Sequence, residues 1–169
     1  MKVDIEIERS IVIPLPPEKV RPLFDDIEST VARFPKLKKL TKVAKDQYVW
    51  ELSTIGSRMA KIAHDVTYGA HYQRSADGSE LSWKPLSNKG NASIAGVFRV
   101  REHKSGSEIS FKVDGELRDV PVPLIYRLVA PPFIQGKFIH LVETFLERTR
   151  DALLDQKAAA PAKKKAAAK

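Results

Sequence analysis

Between about residue 36 and Leu117, apolar and polar residues alternate along the chain with a period of two. This is the period of a β-strand with one buried face, because successive side chains of a strand point to opposite sides. Polar turn sequences such as SADGSE, SNKGN and HKSGSE divide the alternating region into segments, and turns this short join antiparallel neighbours. The alternation therefore predicts an antiparallel sheet with one buried face and one face in water.

Further elements are predicted before and after this region of the chain. The same alternation predicts a first strand over residues 3–13. The following sequence, PLPPEKVRPLFDDIESTVARFP, has helical spacing and predicts one or two short helices that end at Pro35. Near the C-terminus the spacing is helical again, and a helix from about residue 133 to 155 would be about 35 Å long, enough to cross a whole sheet.

The stretch DVPVPLIYRLVAPPFIQGK, residues 119–137, joins the last predicted strand to this helix. It contains four prolines and, between its two ends, the single charged residue Arg127. Prolines are typical of connectors, yet connectors normally lie on the surface and are polar. An apolar connector is therefore predicted either to pack over the open end of the core or to form a gate that contacts a membrane.

Composition favours one domain with a short tail. The chain has 169 residues, of which 43% are hydrophobic, and this suits a single domain with a substantial core. Five lysines lie in KAAAPAKKKAAAK, and removing them from the net charge of +8 leaves +3 on residues 1–156. Because this tail contains only Lys, Ala and Pro, we expect a folded domain over residues 1–156 and a disordered tail over residues 157–169.

Several functional classes lack their usual sequence signals. No apolar run approaches the roughly 20 residues that a membrane-spanning helix needs, and acidic residues occupy the start of the chain where a signal peptide is apolar. We therefore expect a cytoplasmic protein. The chain has no cysteine, which excludes disulfides and thiolate chemistry.

No metal or cofactor site is predicted. His64 and His71 are seven residues apart on one strand, so they point to opposite faces and cannot chelate one ion together. His103 lies in a turn and His140 lies outside the apolar face of the long helix. Nucleophile-elbow, P-loop and dinucleotide-binding motifs do not occur in the sequence.

The order of these elements resembles the START-like (SRPBCC) superfamily. The resemblance is carried by IVIPLPPEKVRPLFDDIESTVARFP, by the strand ending in LSWKP, and by PVPLIYRLVAPPFIQGKFIHLVETFLERTRDAL. It implies an α+β helix-grip fold, in which a curved antiparallel sheet wraps around a long C-terminal helix and short helices follow the first strand. Members of this superfamily include lipid and sterol carriers, coenzyme Q binding proteins, and polyketide cyclases and dehydratases.

The resemblance also implies a cavity between the sheet and the helix. An empty cavity of about 300 Å³ would destabilise a domain by about 7 kcal/mol, so such a cavity would need water or an apolar guest. We expect an apolar or amphipathic guest such as a lipid, an isoprenoid quinone or a sterol-like molecule, held for transport or presentation. Ordinary core packing is the alternative for most of its walls. The side chains predicted to contact the ligand are Tyr48, Trp50, Ile62, His64, Val66, Tyr68, Trp83, Phe98, Phe111, Val113, Phe138, Val142 and Phe145.

Two further contacts are predicted outside the cavity. Leu124, Ile125 and Leu128 of the connector would form the gate. The tail lysines Lys163, Lys164 and Lys165 would contact an anionic membrane or, non-specifically, nucleic acid. A solvated tail without a partner is the alternative, and a nucleic-acid or partner adaptor that works through the tail is a third functional class.

A cyclase or dehydratase on the same scaffold stays open as an alternative to a carrier. His64 and the tyrosines Tyr48, Tyr68, Tyr72 and Tyr126 are the candidate proton donors and acceptors. No carboxylate in the middle of a predicted strand shares their face. His64 also fits the simpler hypothesis of a buried histidine whose hydrogen bonds are satisfied by a neighbouring group.

Overall fold

The computed structural model describes the backbone of residues 1–167 and the side chains of residues 1–156. Seven strands and three α-helices follow in the predicted order, with 3₁₀ turns at Arg21–Phe24 and Leu124–Tyr126. The α-helices and strands are β1 (Val3–Ile13), α1 (Pro17–Val20), α2 (Ile27–Val31), β2 (Leu37–Ala44), β3 (Gln47–Ser57), β4 (Ile62–Arg74), β5 (Glu80–Gly90), β6 (Ala92–His103), β7 (Gly106–Leu117) and α3 (Ala130–Ala167).

The strands form one antiparallel sheet in the order β1-β7-β6-β5-β4-β3-β2. Neighbours from β2 to β7 are consecutive in the chain, and β1 closes the other edge by pairing with β7 over its whole length. The segment with α1 and α2 carries the chain from one edge strand to the other. This arrangement, with α3 across it, is the α+β helix-grip fold that the sequence predicts.

Helix α3 packs its apolar side against the sheet. Ile134, Phe138, Val142, Phe145 and Leu153 are all buried, and they recur at the spacing of one helix face. The helix begins at Ala130, three residues before the predicted start. Two prolines in its first turn permit this, because the first N–H groups of a helix have no acceptor within the helix.

One end of the sheet collects several chain connections, and we call it the connector end. Residues 58–61 join β3 to β4 there, Asn91 joins β5 to β6, and β7 ends there at Leu117 beside the start of β1. Helix α3 begins at the same end, since Gln135 in its second turn accepts a hydrogen bond of 3.2 Å from the backbone N–H of Glu6. The apolar connector therefore crosses the end of the space between sheet and helix.

The Lys-rich tail coincides with the end of α3. The helix runs to Ala167, but the side chains from residue 157 onward lie outside the described residues, and Lys163, Lys164 and Lys165 are among them. The division into a domain of residues 1–156 and a tail of residues 157–169 therefore stays a prediction. Among the described residues, no helix has both the length and the apolar character that crossing a bilayer requires.

Two glycines give a matched test of how tightly the interior is packed. A Cβ atom at Gly96 would lie 2.2 Å from Cζ2 of Trp83, whereas a Cβ atom at Gly136 of α3 would meet nothing within 4 Å. Gly96→Ala should lower the free energy of unfolding by about 1–3 kcal/mol through overpacking. Gly136→Ala should raise it by up to about 1 kcal/mol, since Ala favours helix. Urea unfolding of both variants checks this, and equal stabilities would contradict the close packing around Trp83.

Candidate ligand-binding site

A cluster of aromatic rings fills the concave side of the sheet. The rings of Phe98, Phe111 and Phe145 lie 5.2 to 5.6 Å apart. The ring of Trp83 lies 5.3 Å from that of Phe111, and the rings of Trp50 and Tyr68 stack at 5.5 Å. These distances are typical of favourable aromatic pairs, so the strands and α3 meet through direct contact between aromatic side chains. We call this group the aromatic cluster; its further members are Phe24, Phe34, Tyr48 and Tyr72.

The structure brings together nearly all of the predicted cavity walls. His64 is half-buried, while the other twelve residues are buried; they are Tyr48, Trp50, Ile62, Val66, Tyr68, Trp83, Phe98, Phe111, Val113, Phe138, Val142 and Phe145. Burial agrees both with core packing and with ligand contact. Their role in binding therefore stays a prediction.

The space between sheet and helix is occupied by these side chains. Four pockets can be located in residues 1–156, and one of them is lined in part by Tyr72 and Trp83 of the aromatic cluster. Two lie on the outer face of the sheet, one lies at the end opposite the connector, and a small one lies beside α3. Aromatic rings of the sheet and of α3 thus lie in contact where the resemblance implies a cavity, and an empty apolar void there would lose the contacts of every side chain around it.

Two indole N–H groups in the cluster differ in their partners. Trp50 Nε1 donates a hydrogen bond of 2.9 Å to the hydroxyl of Tyr72. Trp83 Nε1 is buried and has no partner among the described residues. A buried donor without an acceptor is destabilising by about 1–3 kcal/mol, so this group is one place where an oxygen of a guest molecule would gain a hydrogen bond.

The buried tyrosines keep their protons. Burial raises the pKa of Tyr68 well above its ordinary value, and burial likewise raises the pKa of Tyr72. Burial and the carboxylate of Glu28 raise the pKa of Tyr48, whose hydroxyl donates a hydrogen bond of 3.1 Å to Glu28 Oε1. All three groups are neutral hydrogen-bonding groups near pH 7, and neutral phenols are weak acids and weaker bases.

The contact between Glu28 and Tyr48 was not foreseen from the sequence. Glu28 lies on α2 and Tyr48 on β3, so strand parity alone gives no information about their distance. The only available signal was the amphipathic pattern of the short helices, which turns one side of α2 toward the sheet. A carboxylate therefore does reach the tyrosines, although it comes from a helix.

His64 belongs to a hydrogen-bonded group at the connector end. Its Nε2 atom lies 3.0 Å from Nδ2 of Asn91, and that amide also donates to the carbonyl of Asp65 at 2.8 Å. Burial lowers the pKa of His64 below 6.5, and this outweighs a hydrogen bond with the backbone of Arg118, which raises it. The Nε2 atom thus has a protein partner, as the simpler hypothesis for His64 expects, and a neutral ring suits this contact.

The connector exposes its large aliphatic side chains. Leu124 is 76% exposed, Ile125 is 81% exposed and Leu128 is 93% exposed. Met59, in the β3–β4 turn at the same end of the sheet, is 97% exposed. The structure therefore places the predicted gate residues on the surface, where they do not pack over the core. Their role in ligand passage stays a prediction.

Sequence comparisons assign no family to the chain. No family model matches it, and no curated protein matches it.

Several solved structures have the same fold. A START superfamily protein from Mycobacterium smegmatis is 10% identical, with a TM-score of 0.64 over 89% of this chain and 97% of that one. TTHA0849 from Thermus thermophilus is 17% identical, with a TM-score of 0.60 over 88% of this chain and 98% of that one. The di-domain ARO/CYC StfQ from the steffimycin biosynthetic pathway is 10% identical, with a TM-score of 0.63, and 93% of this chain covers 52% of it.

These likenesses confirm the predicted START-like fold. At 10 to 17% identity they concern the fold alone, because one fold hosts many unrelated sites. The ligand and the activity depend on the residues of this chain.

The lowered pKa of His64 predicts how stability depends on pH. As the pH falls through 6.5, the unfolded chain binds a proton at this residue before the folded chain does, so the free energy of unfolding decreases. His64→Gln removes this titration and should lose less stability than the wild type between pH 8 and pH 5. Urea unfolding at pH 8 and at pH 5 measures the free energy of unfolding of both proteins. His71→Gln on the exposed face is the control, and equal pH dependence of wild type and His64→Gln would contradict the assignment.

Proposed function

We propose that this protein binds an apolar or amphipathic small molecule between the sheet and α3, and takes it up or releases it at the connector end. The observation that carries the proposal is the exposure of Leu124, Ile125, Leu128 and Met59 at that end. Grouped large apolar side chains on a surface mark contact with a membrane, a ligand or another protein. Here the exposed side chains lie at one end of the aromatic interior. A molecule that leaves a membrane would therefore have an apolar path into the interior.

The interior suits a guest that replaces contacts between aromatic rings. Phe138 and Phe145 belong to α3 while Phe98 and Phe111 belong to the sheet, so a small outward shift of α3 would open space between the two sets. Such a space would be unfavourable when empty and would become favourable once an apolar chain filled it. The unpaired Nε1 atom of Trp83 would supply one polar contact within it.

Binding is better supported than catalysis. Proton transfer is most effective when the pKa of the catalytic group lies near the working pH. Burial moves the pKa of Tyr68 and the pKa of Tyr72 upward, away from neutrality. His64 would have to leave Asn91 before it could accept a proton. We therefore assign these residues to ligand contact or packing, and the ARO/CYC neighbour supports the scaffold only.

The tail would add a second attraction to a membrane. Five lysines follow residue 156, and each basic residue near an anionic surface contributes up to about 1 kcal/mol. Together with the exposed connector this gives two weak signals, the combination that stable peripheral binding needs. We propose an anionic membrane facing the cytoplasm as the partner, with nucleic acid as the competing partner of the tail.

Tryptophan fluorescence can test binding in the interior directly. The chain has two tryptophans, Trp50 and Trp83, and both belong to the aromatic cluster. A brominated stearate that enters the interior should quench the emission of both tryptophans, because bromine quenches fluorescence only at short range. Unbrominated stearate serves as the control. Calorimetry on the same samples reports binding independently. Binding without bromine-dependent quenching would move the site to the surface, and no binding of stearate or of a sterol would refute the proposed function.

The exposed connector predicts a selective effect on transfer. Leu124→Ser combined with Ile125→Ser should slow transfer of a fluorescent fatty acid from anionic vesicles to the protein by about tenfold. The reason is that an aliphatic side chain of this size contributes about 1.5–3 kcal/mol when it is fully buried. Stability should change little, because both side chains are exposed. The control is Val12→Thr with Val43→Thr, which alters exposed aliphatic residues on strands β1 and β2. Equal transfer rates in both double variants would contradict the gate.

A further inference from the structure

A small pocket lies between the end of β3 and the side of α3. Its volume is about 110 Å³, and it is lined by Lys36, Ile55, Gly56, Lys137, His140 and Leu141. Ile55 and Leu141 are buried members of the core, while Lys36, Lys137 and His140 are exposed. The pocket therefore has an apolar base continuous with the core and a rim of nitrogen-bearing side chains. No carboxylate is among the residues that line it.

Backbone geometry fixes the β3 side of the pocket. The pairing of β3 with β4 is shifted between Leu52 and Ile55, as in a β-bulge, which bends a strand locally. Gly56 follows at φ +111°, and a Cβ atom there would lie 1.7 Å from the carbonyl oxygen of Ile62. Only glycine fits this position, so the wall beside Ile55 is part of the fold itself.

Lys36 is held at the edge of this wall. Its backbone has φ +64°, and its carbonyl accepts a hydrogen bond of 2.9 Å from the backbone N–H of Ser53. Its Nζ atom donates one hydrogen bond of 2.8 Å to the carbonyl of Thr54. An ammonium group has three N–H donors, so two remain for a ligand.

Helix α3 supplies the other two nitrogen-bearing side chains. Lys137 and His140 are three residues apart, which places them on neighbouring turns of one helix face. The Nζ atom of Lys137 lies 5.3 Å from the ring centroid of Phe133, a cation–π contact, and Lys137 is exposed. The two sides of the pocket together form a concentration of positive charge beside an apolar base.

We infer that this pocket binds the anionic head group of the proposed ligand, a carboxylate or a phosphate attached to an aliphatic chain. The inference rests on the proposed function and specifies the chemical class of its ligand. A volume of about 110 Å³ is well below the roughly 300–1,000 Å³ of pockets that hold whole small molecules. It fits a head group and excludes a whole lipid. The chain attached to it would pass Ile55 and Leu141 toward the aromatic cluster.

Comparison of charged and neutral ligands with the same chain tests this subsite. Dodecanoate and dodecyl phosphate should each bind the full-length protein at least about tenfold more tightly than dodecanol, because hydrogen bonds to a charged group contribute more than neutral ones. Lys137→Gln should weaken dodecanoate binding by about tenfold and leave dodecanol binding unchanged. Lys84→Gln, on the outer face of β5, is the matched control. Isothermal titration calorimetry measures all affinities, and thermal unfolding checks that both variants are folded.

Each outcome separates the subsite from the proposed function. If dodecanol binds as tightly as dodecanoate, or if Lys137→Gln behaves like Lys84→Gln, the subsite is wrong while the carrier function stands. If none of the three chains binds, both are wrong. The last measurement tests binding of acetate and of inorganic phosphate, which lack an alkyl chain. Binding of either as tightly as the alkyl ligands, with the same loss in Lys137→Gln, would indicate a free-anion site and overturn the head-group assignment.

Discussion

The fold depends on one contact, the packing of the apolar face of α3 against the concave face of the sheet. Phe145 joins the two, since its ring lies 5.5 Å from that of Phe98 and 5.2 Å from that of Phe111. A seven-stranded sheet that buries only one face needs a cover for that face. Helix α3 supplies part of this cover, the segment with α1 and α2 adds Phe24 and Phe34, and aromatic rings pack between these helices and the sheet.

This contact explains why the proposed functional features lie at the edges of the interior. Val120 and Val122 of the connector pack against the core, whereas Leu124, Ile125 and Leu128 remain on the surface. Beside α3, the pairing of β3 with β4 shifts before Gly56. The pocket at Lys137 and His140 arises at that point, so access and head-group recognition are both proposed where packing is incomplete.

The sequence predicted those parts of the site that follow from the hydrophobic periodicity of strands and helices. Burial of Trp50, Tyr68 and Phe111 follows from strand alternation, and burial of Phe138 and Phe145 follows from helical spacing. The pairs Tyr48–Glu28 and His64–Asn91 join elements far apart in the chain. Their distances depend on strand register and on the path of a turn, and neither leaves a periodic pattern in the sequence.

The sequence by itself determined the order of the elements, the buried face of each and the apolar character of the connector, because these depend on local periodicity and composition. Only the tertiary structure decided how much space those faces enclose. The aromatic contacts between α3 and the sheet, the unpaired Nε1 atom of Trp83 and the pocket between Ile55 and Leu141 depend on how closely α3 approaches the sheet. That distance is set by the fit of many side chains at once, and no single stretch of residues specifies it.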